Sequence, residues 1–304
     1  MKPIVNLGIF VADAAFRAAR MPKMGETILG KDFALGPGGK GSNQSVASAM
    51  AGGKVHFITR LGDDDFATMA RGIWARAGVT PEVTVDSESF TGAAMIFLED
   101  ATGNNAIIVT PGAASRITPA DVEARASLIQ SAGIFMTQLE QPIPAAQRGL
   151  ELARAAGVTT ILNPAPAATL PDAMLQLCDY LTPNESEAEA LTGLPVTSVA
   201  EAKIAAAALL AKGVGAVVIT LGAQGALYHD GKTTFHTPVI AAGKVVDTTG
   251  AGDAFNGGFA VALAEGMTIE TALRFASATA GISVTRPGTA GSMPTRAEIE
   301  AVLG

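Results

Sequence analysis

The chain has 304 residues, and 48% of them are hydrophobic, so it is long enough to bury the core of one large α/β domain. Its 21 basic and 28 acidic residues give a net charge of −7 without any basic run, which argues against nucleic acid and anionic membranes as partners. We expect no signal peptide and no membrane span, because no apolar run has the necessary length. Cys178 is the only cysteine, which excludes an internal disulfide and fits a cytoplasmic location.

The first third of the sequence predicts a strand and two pieces of a small sheet. Residues Ile4 to Phe10 form an apolar run of strand length that ends near Asp13. Residues 14–36 are interrupted by glycine and proline and predict irregular edge strands, for example at Glu26 to Leu29. Residues 91–110 have the pattern of a hairpin. We expect the segments 14–36 and 91–110 to form a small β-sheet lid, inserted in a single domain of residues 1–304.

A glycine-rich turn at Gly38 to Asn43 precedes a helix of mostly small residues. Its letters fit the dinucleotide pattern GxGxxG over residues 36–41, but the predicted first strand lies far upstream, which argues against a dinucleotide site. The phosphate-loop motif fails as well, because a glycine follows Lys40. The turn still places Lys40 and Asn43 at a helix N-terminus. A plain turn with a solvated lysine is the alternative.

From residue 118 onwards, apolar runs alternate with helical patterns, which predicts parallel strands with helices on both faces of a sheet. Polar residues or glycine follow these runs, at Glu140, Asn163, Asn184 and Gly222. In open α/β sheets, ligands bind at the edge where the strands end. Asn163 alone is equally well explained as a turn former.

Asn184 and Glu187 support two interpretations. Their spacing is that of a capping box at the start of a helix. An amide and a carboxylate at the ligand edge also suit Mg²⁺ held through its waters. Both interpretations are compatible, because they use different atoms.

The stretch DTTGAGDAFNGGFA, residues 247–260, predicts an anion site beside a base. It joins a predicted strand ending at Val246 to an apolar helix that runs on from Ala254. The small residues Gly250 to Gly252 leave backbone N–H groups unpaired at the helix N-terminus, where anions bind. Asp253 in the first turn would supply a carboxylate that accepts a proton, as phosphoryl transfer to a hydroxyl requires. The alternative is an aspartate that only caps its helix.

Both glycine-rich turns occur together with MTQLEQP, NPAPA, LTPNESEAEALTG, ITLGAQG and VTRPGTAGS, and in this order the chain resembles the ribokinase (PfkB) family of carbohydrate kinases over essentially its whole length. The resemblance implies a three-layer α/β/α fold with a central, mostly parallel sheet and a small β-sheet lid. It implies an ATP-dependent kinase that uses Mg²⁺ and K⁺, with the 5-hydroxyl of D-ribose as the first expectation. It also implies a homodimer formed through the lid.

The resemblance assigns the reacting groups by position. Asp253 matches the catalytic base, and the amides of Ala251, Gly252 and Asp253 match the anion hole. The positions that match sugar contacts, besides Asp253, are Asp13, Gly39, Lys40, Asn43 and Glu140.

Further positions match the sites of the nucleotide and the ions. Asn184 and Glu187 match the motif for Mg²⁺ and phosphate. The positions that match nucleotide contacts are Thr220, Gly222, Gly225, Gly252 and Ser277. The positions that match the loops around a monovalent cation, mostly through backbone carbonyls, are Asp247, Thr249, Ser283, Arg286, Gly288 and Ser292.

One departure from the family pattern concerns the sugar. Val11 stands where many ribokinases have an asparagine that contacts ribose, and losing that hydrogen bond costs about 1 kcal/mol. Another sugar kinase or a nucleoside kinase of the family therefore stays open, the latter needing lid residues such as Phe10, Phe97 or Ile107 to stack on a base. A catalytically silent sugar-binding regulator is the alternative from another class, and the intact Asp253 argues against it.

Overall fold

The structure, a computed structural model, describes all residues from 1 to 304. It contains thirteen strands arranged in two sheets. The strands are β1 Ile4–Leu7, β2 Val11–Ala18, β3 Asp32–Gly38, β4 Val55–Leu61, β5 Val79–Val85, β6 Thr91–Glu99, β7 Asn105–Gly112, β8 Ile134–Thr137, β9 Thr159–Leu162, β10 Tyr180–Leu181, β11 Ala216–Thr220, β12 Ala226–His229 and β13 Thr234–Thr237.

Eleven α-helices accompany the strands, together with three short 3₁₀ turns. The helices are α1 Lys40–Met50, α2 Asp65–Ala77, α3 Pro119–Glu123, α4 Ala126–Ser131, α5 Ile143–Ala155, α6 Asp172–Leu175, α7 Glu185–Thr192, α8 Val199–Ala211, α9 Ala251–Ala264, α10 Ile269–Ser283 and α11 Arg296–Leu303. None of them is long and apolar enough to cross a membrane.

The central sheet has nine strands in the order β13-β12-β11-β10-β9-β8-β1-β4-β5. Seven neighbouring strands, from β11 to β5, are parallel, and only β12 runs against its neighbours. The inner strands β1 and β8 are buried at every residue, as expected for strands covered by helices on both faces. The predicted α/β fold with a mostly parallel sheet is confirmed.

The two faces of the sheet carry two separate hydrophobic cores. Helices α3 to α8 pack against one face, and α1, α2 and α9 to α11 pack against the other. On the second face, α1 and α9 lie so close that a Cβ atom at Gly257 would be 2.5 Å from the Ala47 Cβ. The small residues of both helices therefore allow a contact that brings their N-termini together at the edge where the parallel strands end.

Four strands form the lid sheet, in the order β3-β2-β6-β7. The lid predicted from the sequence is thus present, but its strands differ from the expected pieces. The chain leaves the central sheet after Leu7, so the run from Ile4 to Phe10 is not one strand, and Asp13 lies inside β2 rather than at a strand end. The chain leaves the sheet at Gly8, where the start of α1 packs against it. A Cβ atom at Gly8 would be 2.7 Å from the Gly41 Cα.

Two further expectations about strands are wrong. Residues 26–29 form no strand, since β3 begins only at Asp32 and the preceding loop is exposed. No strand ends at Val246 either. The backbone N–H groups of Val246 and Asp247 both donate to the carbonyl of Val284, at the end of α10, and this segment has no partner in a sheet. The turn before α9 is therefore anchored to a helix end.

The turn at Gly38 to Asn43 is preceded by a strand after all, since β3 runs directly into it. That strand is antiparallel to β2 in the lid, and it is not the first strand of a parallel βαβ unit. The conclusion against a dinucleotide site therefore holds on topology, although the strand that was thought to be missing is present.

Candidate active site

Asp253 lies in the first turn of α9, and its carboxylate points away from its own helix. It makes no capping hydrogen bond, which rules out the capping alternative. Instead it accepts hydrogen bonds from Asn43 Nδ2 at 3.0 Å and Gln44 Nε2 at 3.1 Å, both from α1. Only 6% of Asp253 is exposed. Two glycine-led helix N-termini thus meet around one buried carboxylate.

The N-terminus of α9 offers unpaired backbone donors beside that carboxylate. The N–H groups of Gly252 and Asp253 have no backbone acceptor, whereas Ala251 N donates to Thr248 O at 3.2 Å. A Cβ atom built at Gly252 would meet no protein atom within 4 Å, so packing does not require glycine here. The open space lies over the helix N-terminus, where an anion would be held.

The turn at the start of α1 contributes Lys40, whose backbone N–H donates to Glu140 Oε2 at 2.7 Å. Gly39 has φ +87°, and a Cβ atom there would lie 2.5 Å from Ile9 O, so the turn requires glycine. Burial disfavours the charged form of Lys40. The carboxylates of Asp253, Glu140 and Glu187 outweigh that effect and raise its pKa. Lys40 is therefore the central cation of an otherwise acidic site.

Asp13 approaches the same region from the lid. A Cβ atom at Gly38 would lie 2.3 Å from the Asp13 carboxylate, so the close approach of β2 and β3 depends on that glycine. Burial raises the pKa of Asp13 to about 6. Val11, two residues earlier on the same face of β2, is buried. It presents an apolar side chain next to Asp13.

The other two carboxylates of the site are also shifted by burial. Burial raises the pKa of Glu140 to about 7, with the charges of Asp253 and Asp13 acting in the same direction and the Lys40 N–H and ammonium acting against it. Burial likewise raises the pKa of Asp253, against Lys40, Asn43 and Gln44. Burial therefore destabilises the ionised form of each carboxylate. Hydrogen-bond donors or cations that bind in the site would stabilise that form again.

Asn184 and Glu187 form the predicted capping box at the start of α7. Asn184 Oδ1 accepts from Glu187 N, and Glu187 Oε2 accepts from Asn184 N, both at 2.9 Å. Both residues also line a cavity of about 40 Å³ that contains no hydrophobic residue. The cavity is lined by Lys40, Asn163, Thr182, Asn184, Glu187, Thr220, Gly252, Asp253 and Asn256. The capping role and a place at the candidate site thus coexist.

The four remaining candidates for nucleotide contacts lie around this cavity and beyond it. Thr220 ends β11, lines the cavity and pairs with Asn184 in an isolated bridge. Gly222 and Gly225 bound the 3₁₀ turn that follows β11, and Ser277 is buried in α10. None of these four residues donates a hydrogen bond to Asp253, so they form an outer part of the site.

The predicted cation loops do meet. The carboxylate of Asp247 accepts from Thr249 N and from Gly288 N, both at 2.9 Å, and so ties the two loops together. Partial burial disfavours its charge, but these N–H groups and the Thr249 side chain outweigh burial and lower its pKa.

The side chains of the other three cation-loop candidates are used elsewhere. The Ser283 and Ser292 hydroxyls donate to Ala280 O and Thr289 O, and Arg286 pairs with Glu298. The Arg286 side chain is a cation and cannot bind one, whereas the backbone carbonyls of all three residues can.

Sequence reasoning missed Gln44, Thr182 and Asn256. Gln44 donates directly to Asp253, Thr182 Oγ1 donates to Asn256 Oδ1 at 2.6 Å, and Asn256 Nδ2 donates to Gly252 O at 2.8 Å. The spacing of Asp253 and Asn256, three residues apart on one helix face, was a usable signal. For Gln44 there was none, because its partners lie 94 to 209 positions away in the sequence.

Comparison with known proteins decides the family. The sequence model of the pfkB family of carbohydrate kinases matches residues 1–296. The chain belongs to the pfkB family of carbohydrate kinases. It is therefore a phosphotransferase that acts on a hydroxyl group of a sugar, and the expected three-layer fold with a lid is that of its family.

Individual pfkB kinases resemble the chain over its full length. Ribokinase of Haemophilus influenzae is 38% identical, with 98% of this chain and 97% of that protein covered. Deoxyribokinase of Salmonella typhimurium is 35% identical, with 96% and 95% covered. The structure of Arabidopsis thaliana ribokinase, complexed with ribose and ATP, is 33% identical and covers 99% of this chain and 98% of that one, with a TM-score of 0.93.

The titration of Glu140 predicts how stability depends on pH. Its native pKa of about 7 exceeds the ordinary value of 4.5, so the native state binds more protons between these pH values and stability falls as pH rises. In Glu140→Gln the loss of stability between pH 5 and pH 8 should be smaller than in the wild type. Urea unfolding at pH 5 and at pH 8 measures the free energy of unfolding of both proteins.

The exposed Glu270→Gln on α10 is the matched control for that experiment, and it should keep the wild-type pH dependence. If Glu140→Gln also kept the wild-type pH dependence of stability, the carboxyl of Glu140 would titrate at its ordinary pKa, and our account of the site's electrostatics would be wrong.

Proposed function

We propose that the chain is an ATP-dependent kinase that phosphorylates the 5-hydroxyl of D-ribose. The observation that carries this proposal is the buried carboxylate of Asp253, fixed beside unpaired N–H groups at the N-terminus of α9 and close to the Lys40 ammonium. The similarity to ribokinases, one of them seen with ribose and ATP, supports the choice of substrates. The alternative of a silent regulator has nothing in the site to favour it.

The proposed chemistry uses groups of this chain in separate roles. Asp253 accepts the proton of the attacking hydroxyl, since its buried carboxylate lies beside the free N–H groups at the N-terminus of α9, whereas the buried carboxylate of Glu187 accepts from Asn184 N in its capping box. The N–H groups of Gly252 and Asp253 stabilise the negative charge of the transferring phosphoryl group. Ala251 N is a weaker candidate for the anion hole, because Thr248 O already accepts its hydrogen.

The sugar would lie between the body and the lid. Asp13 on the lid, and Glu140, Asn43 and Lys40 on the body, present acceptors and donors for several hydroxyl groups. Gly39, at the start of α1, is proposed to contact the sugar through its backbone. A carboxylate that accepts hydrogen bonds from hydroxyls regains the stabilisation that burial removed, so sugar binding should favour the ionised forms of Asp13 and Glu140.

The residues also fit the two ions that the family implies. No hydrophobic residue lines the cavity at Asn184 and Glu187, and its amide, hydroxyl and carboxylate oxygens suit a hydrated Mg²⁺ beside the phosphates, whose charge the ion would offset when bound. Asp247 joins the loops at Thr249 and Gly288, and the segments proposed to offer backbone carbonyls to an ion lie at Thr249, Ser283, Arg286, Gly288 and Ser292. These segments suit K⁺, which would support the anion hole from behind.

ATP is proposed to lie over the C-terminal end of β11. Thr220, Gly222 and Gly225 would border its phosphates and ribose, with Ser277 near the base. The free single cysteine is consistent with a cytoplasmic reaction, where ATP is plentiful.

The structure also places the residues that a nucleoside kinase would need. Phe10 is fully buried against Trp74, with ring centroids 5.8 Å apart, so it cannot stack on a base. Phe97 is opposite Phe16 in the lid register and shares its face, away from Asp13. Only Ile107 lies on the face of Asp13, which makes a sugar the better fit.

The substrate assignment predicts ADP release by the purified protein with MgATP and D-ribose. We expect a higher kcat/KM for ribose than for fructose or any nucleoside. Because Val11 is apolar and a deoxyribokinase is similar to the chain, 2-deoxyribose is the closest competitor. A coupled assay of ADP release with ribose, 2-deoxyribose, fructose and nucleosides measures kcat/KM for each acceptor.

The same assay is run in KCl and in NaCl, and a lower rate in NaCl is expected if the cation loops bind K⁺. Turnover of a nucleoside or a hexose alone would overturn ribose as the substrate. No turnover of any acceptor would overturn the kinase activity itself.

The role of Asp253 predicts a specific kinetic defect. Asp253→Asn keeps the shape of the side chain but removes the proton acceptor, so kcat should fall by roughly 10²- to 10⁴-fold. Sugar affinity, measured by titration calorimetry, should change little. Asp65→Asn, at an exposed first-turn aspartate of α2, is the control and should keep full activity. Near-normal kcat in Asp253→Asn would show that another group is the base.

We also propose that two copies of the chain pair through their lids. One lid face carries exposed Phe16, Phe33, Leu35 and Ile108, and the rings of Phe16 and Phe33 lie 4.9 Å apart across β2 and β3. An apolar face of this kind on an otherwise acidic protein marks an interaction surface. The strands β3 and β7 are also open edges, which a second lid could cover.

The lid pairing predicts that Phe16→Asp yields a monomer, because a charge in the middle of the apolar face opposes its burial. Light scattering coupled to gel filtration gives the mass. Ile204→Asp is the control, since Ile204 on α8 is exposed to 60% but lies on no such face, and it should leave the dimer intact. A monomeric wild type would contradict the proposal.

A further inference from the structure

A buried chain of amide side chains runs from the central sheet to Asp253. Gln44 Nε2 donates one hydrogen to Asp253 Oδ1 at 3.1 Å and the other to Asn163 Oδ1 at 3.0 Å. Gln44 Oε1 accepts from Gln138 Nε2 at 2.5 Å. Every polar atom of the Gln44 side chain is thus engaged, and its donor end points at the carboxylate.

The residues behind Gln44 fix that direction. Gln138 Nε2 also donates to Asn6 Oδ1 at 2.9 Å, and Asn6 Nδ2 donates to Gly41 O at 2.8 Å and to Ser45 Oγ at 2.9 Å. If the Gln44 amide were rotated by half a turn, its NH₂ group would face the NH₂ group of Gln138 and its oxygen would face a carboxylate. Both contacts would be repulsive, so the network admits one orientation of Gln44.

A second branch returns to the neighbour of Asp253. Asn163 Nδ2 donates to Thr182 O at 2.8 Å, and the Thr182 hydroxyl reaches Gly252 O through Asn256. The carboxylate and the peptide next to it are therefore held by connected hydrogen bonds from α1, from α9 and from the residues that follow β9 and β10.

Gln44 does not itself reach the substrate. Its exposed fraction is 0%, as it is for Gln138 and Asn6, whereas Asn43 on the same turn retains 4%. Any effect of Gln44 on the reaction must therefore pass through a group that it touches, and among those only Asp253 has a chemical role.

We propose that Gln44 is a positioning residue that holds the Asp253 carboxylate in its reactive orientation, and that Gln138 and Asn6 hold Gln44. This inference rests on Asp253 acting as the base in the proposed function. Without Gln44, the carboxylate would keep only the Asn43 hydrogen bond, on Oδ2, and would be free to rotate about its last torsion angle. A base displaced in this way loses rate, while substrates still bind.

Gln44→Met tests the inference, because methionine has a similar length and lacks the donor. We expect kcat to fall about 10- to 100-fold, with KM for the sugar and for MgATP within about twofold. The acid limb of the kcat profile should also move to higher pH, because Gln44 lowers the pKa of Asp253. Lys40 also lowers that pKa, and the charged groups Asp13, Glu140 and Glu187, which share the site, remain in the variant.

Gln141→Met is the matched control. Gln141 is a buried glutamine at the same sheet edge that donates to Thr137 Oγ1 at 2.7 Å and Gln138 O at 2.6 Å but does not touch Asp253. It should lose stability and keep kcat and its pH profile. An unchanged kcat and acid limb in folded Gln44→Met would show that Gln44 only fills space, and would overturn the inference.

Two other variants keep the test decisive if Gln44→Met does not fold. Gln44→Leu removes the donor to Asp253 without adding a second carboxyl group beside it, so the same loss of kcat is expected. Gln138→Met leaves Gln44 in place without its fixed orientation, and a smaller loss of kcat at unchanged KM is expected. A wild-type kcat in either one contradicts the inference. A wild type without any turnover would instead contradict the proposed function, so the two failures are distinct.

Discussion

The contact between α1 and α9 determines where every group around Asp253 lies. The helices approach so closely that Ser48 Oγ, on α1, donates both to Gln44 O at 2.8 Å and to Gly257 O at 3.2 Å, on α9. Such an approach needs small residues on both sides, since a Cβ atom at Gly257 would also lie 2.8 Å from Ser48 N. Because the contact lies about two turns from both helix starts, it sets the distance between Asn43 and Asp253. A larger residue there would separate Asp253 from its donors.

The same arrangement concentrates charge where water is scarce. Asp13, Glu140 and Asp253 all have a pKa raised by burial, and Lys40 is the cation that faces Asp253 and Glu140. A fold selected only for stability would replace such groups with apolar residues of similar volume. Their retention at the sheet edge is understandable because a sugar brings hydroxyl donors and a nucleotide brings its own cations. The free energy lost on folding is thus recovered on binding.

The sequence was sufficient for the parallel sheet, the helices around it and most of the polar residues at the sheet edge, because hydrophobic periodicity and helix caps are local signals. Asn184 with Glu187, for example, was recognisable as a capping box within four residues. The lid boundaries were harder, because β2 and β3 are held by pairing partners rather than by their own pattern. The segment before α9 was mistaken for a strand, since valines at 245 and 246 suit a strand but meet a helix end.

The amide network could not be predicted for a different reason. Gln44, Gln138 and Asn6 are far apart in the sequence. Taken alone, each of them looks like an ordinary polar residue of the surface. They become neighbours only because α1 packs against the adjacent parallel strands β1 and β8. The family resemblance named the groups that are expected to contact ligands, whereas the groups hydrogen-bonded to them became visible only with the fold.

A single residue, Gly39, separates the lid strand β3 from helix α1. The chain therefore has no flexible linker at this junction. Any rotation of β3 relative to the central sheet must be absorbed by the two backbone torsion angles of Gly39 or passed on to Lys40. The lid strand β3 and the N-terminal turn of α1 are thus joined through Gly39 alone. A rotation of the lid at this junction would therefore also turn the Lys40 amide, which donates to Glu140.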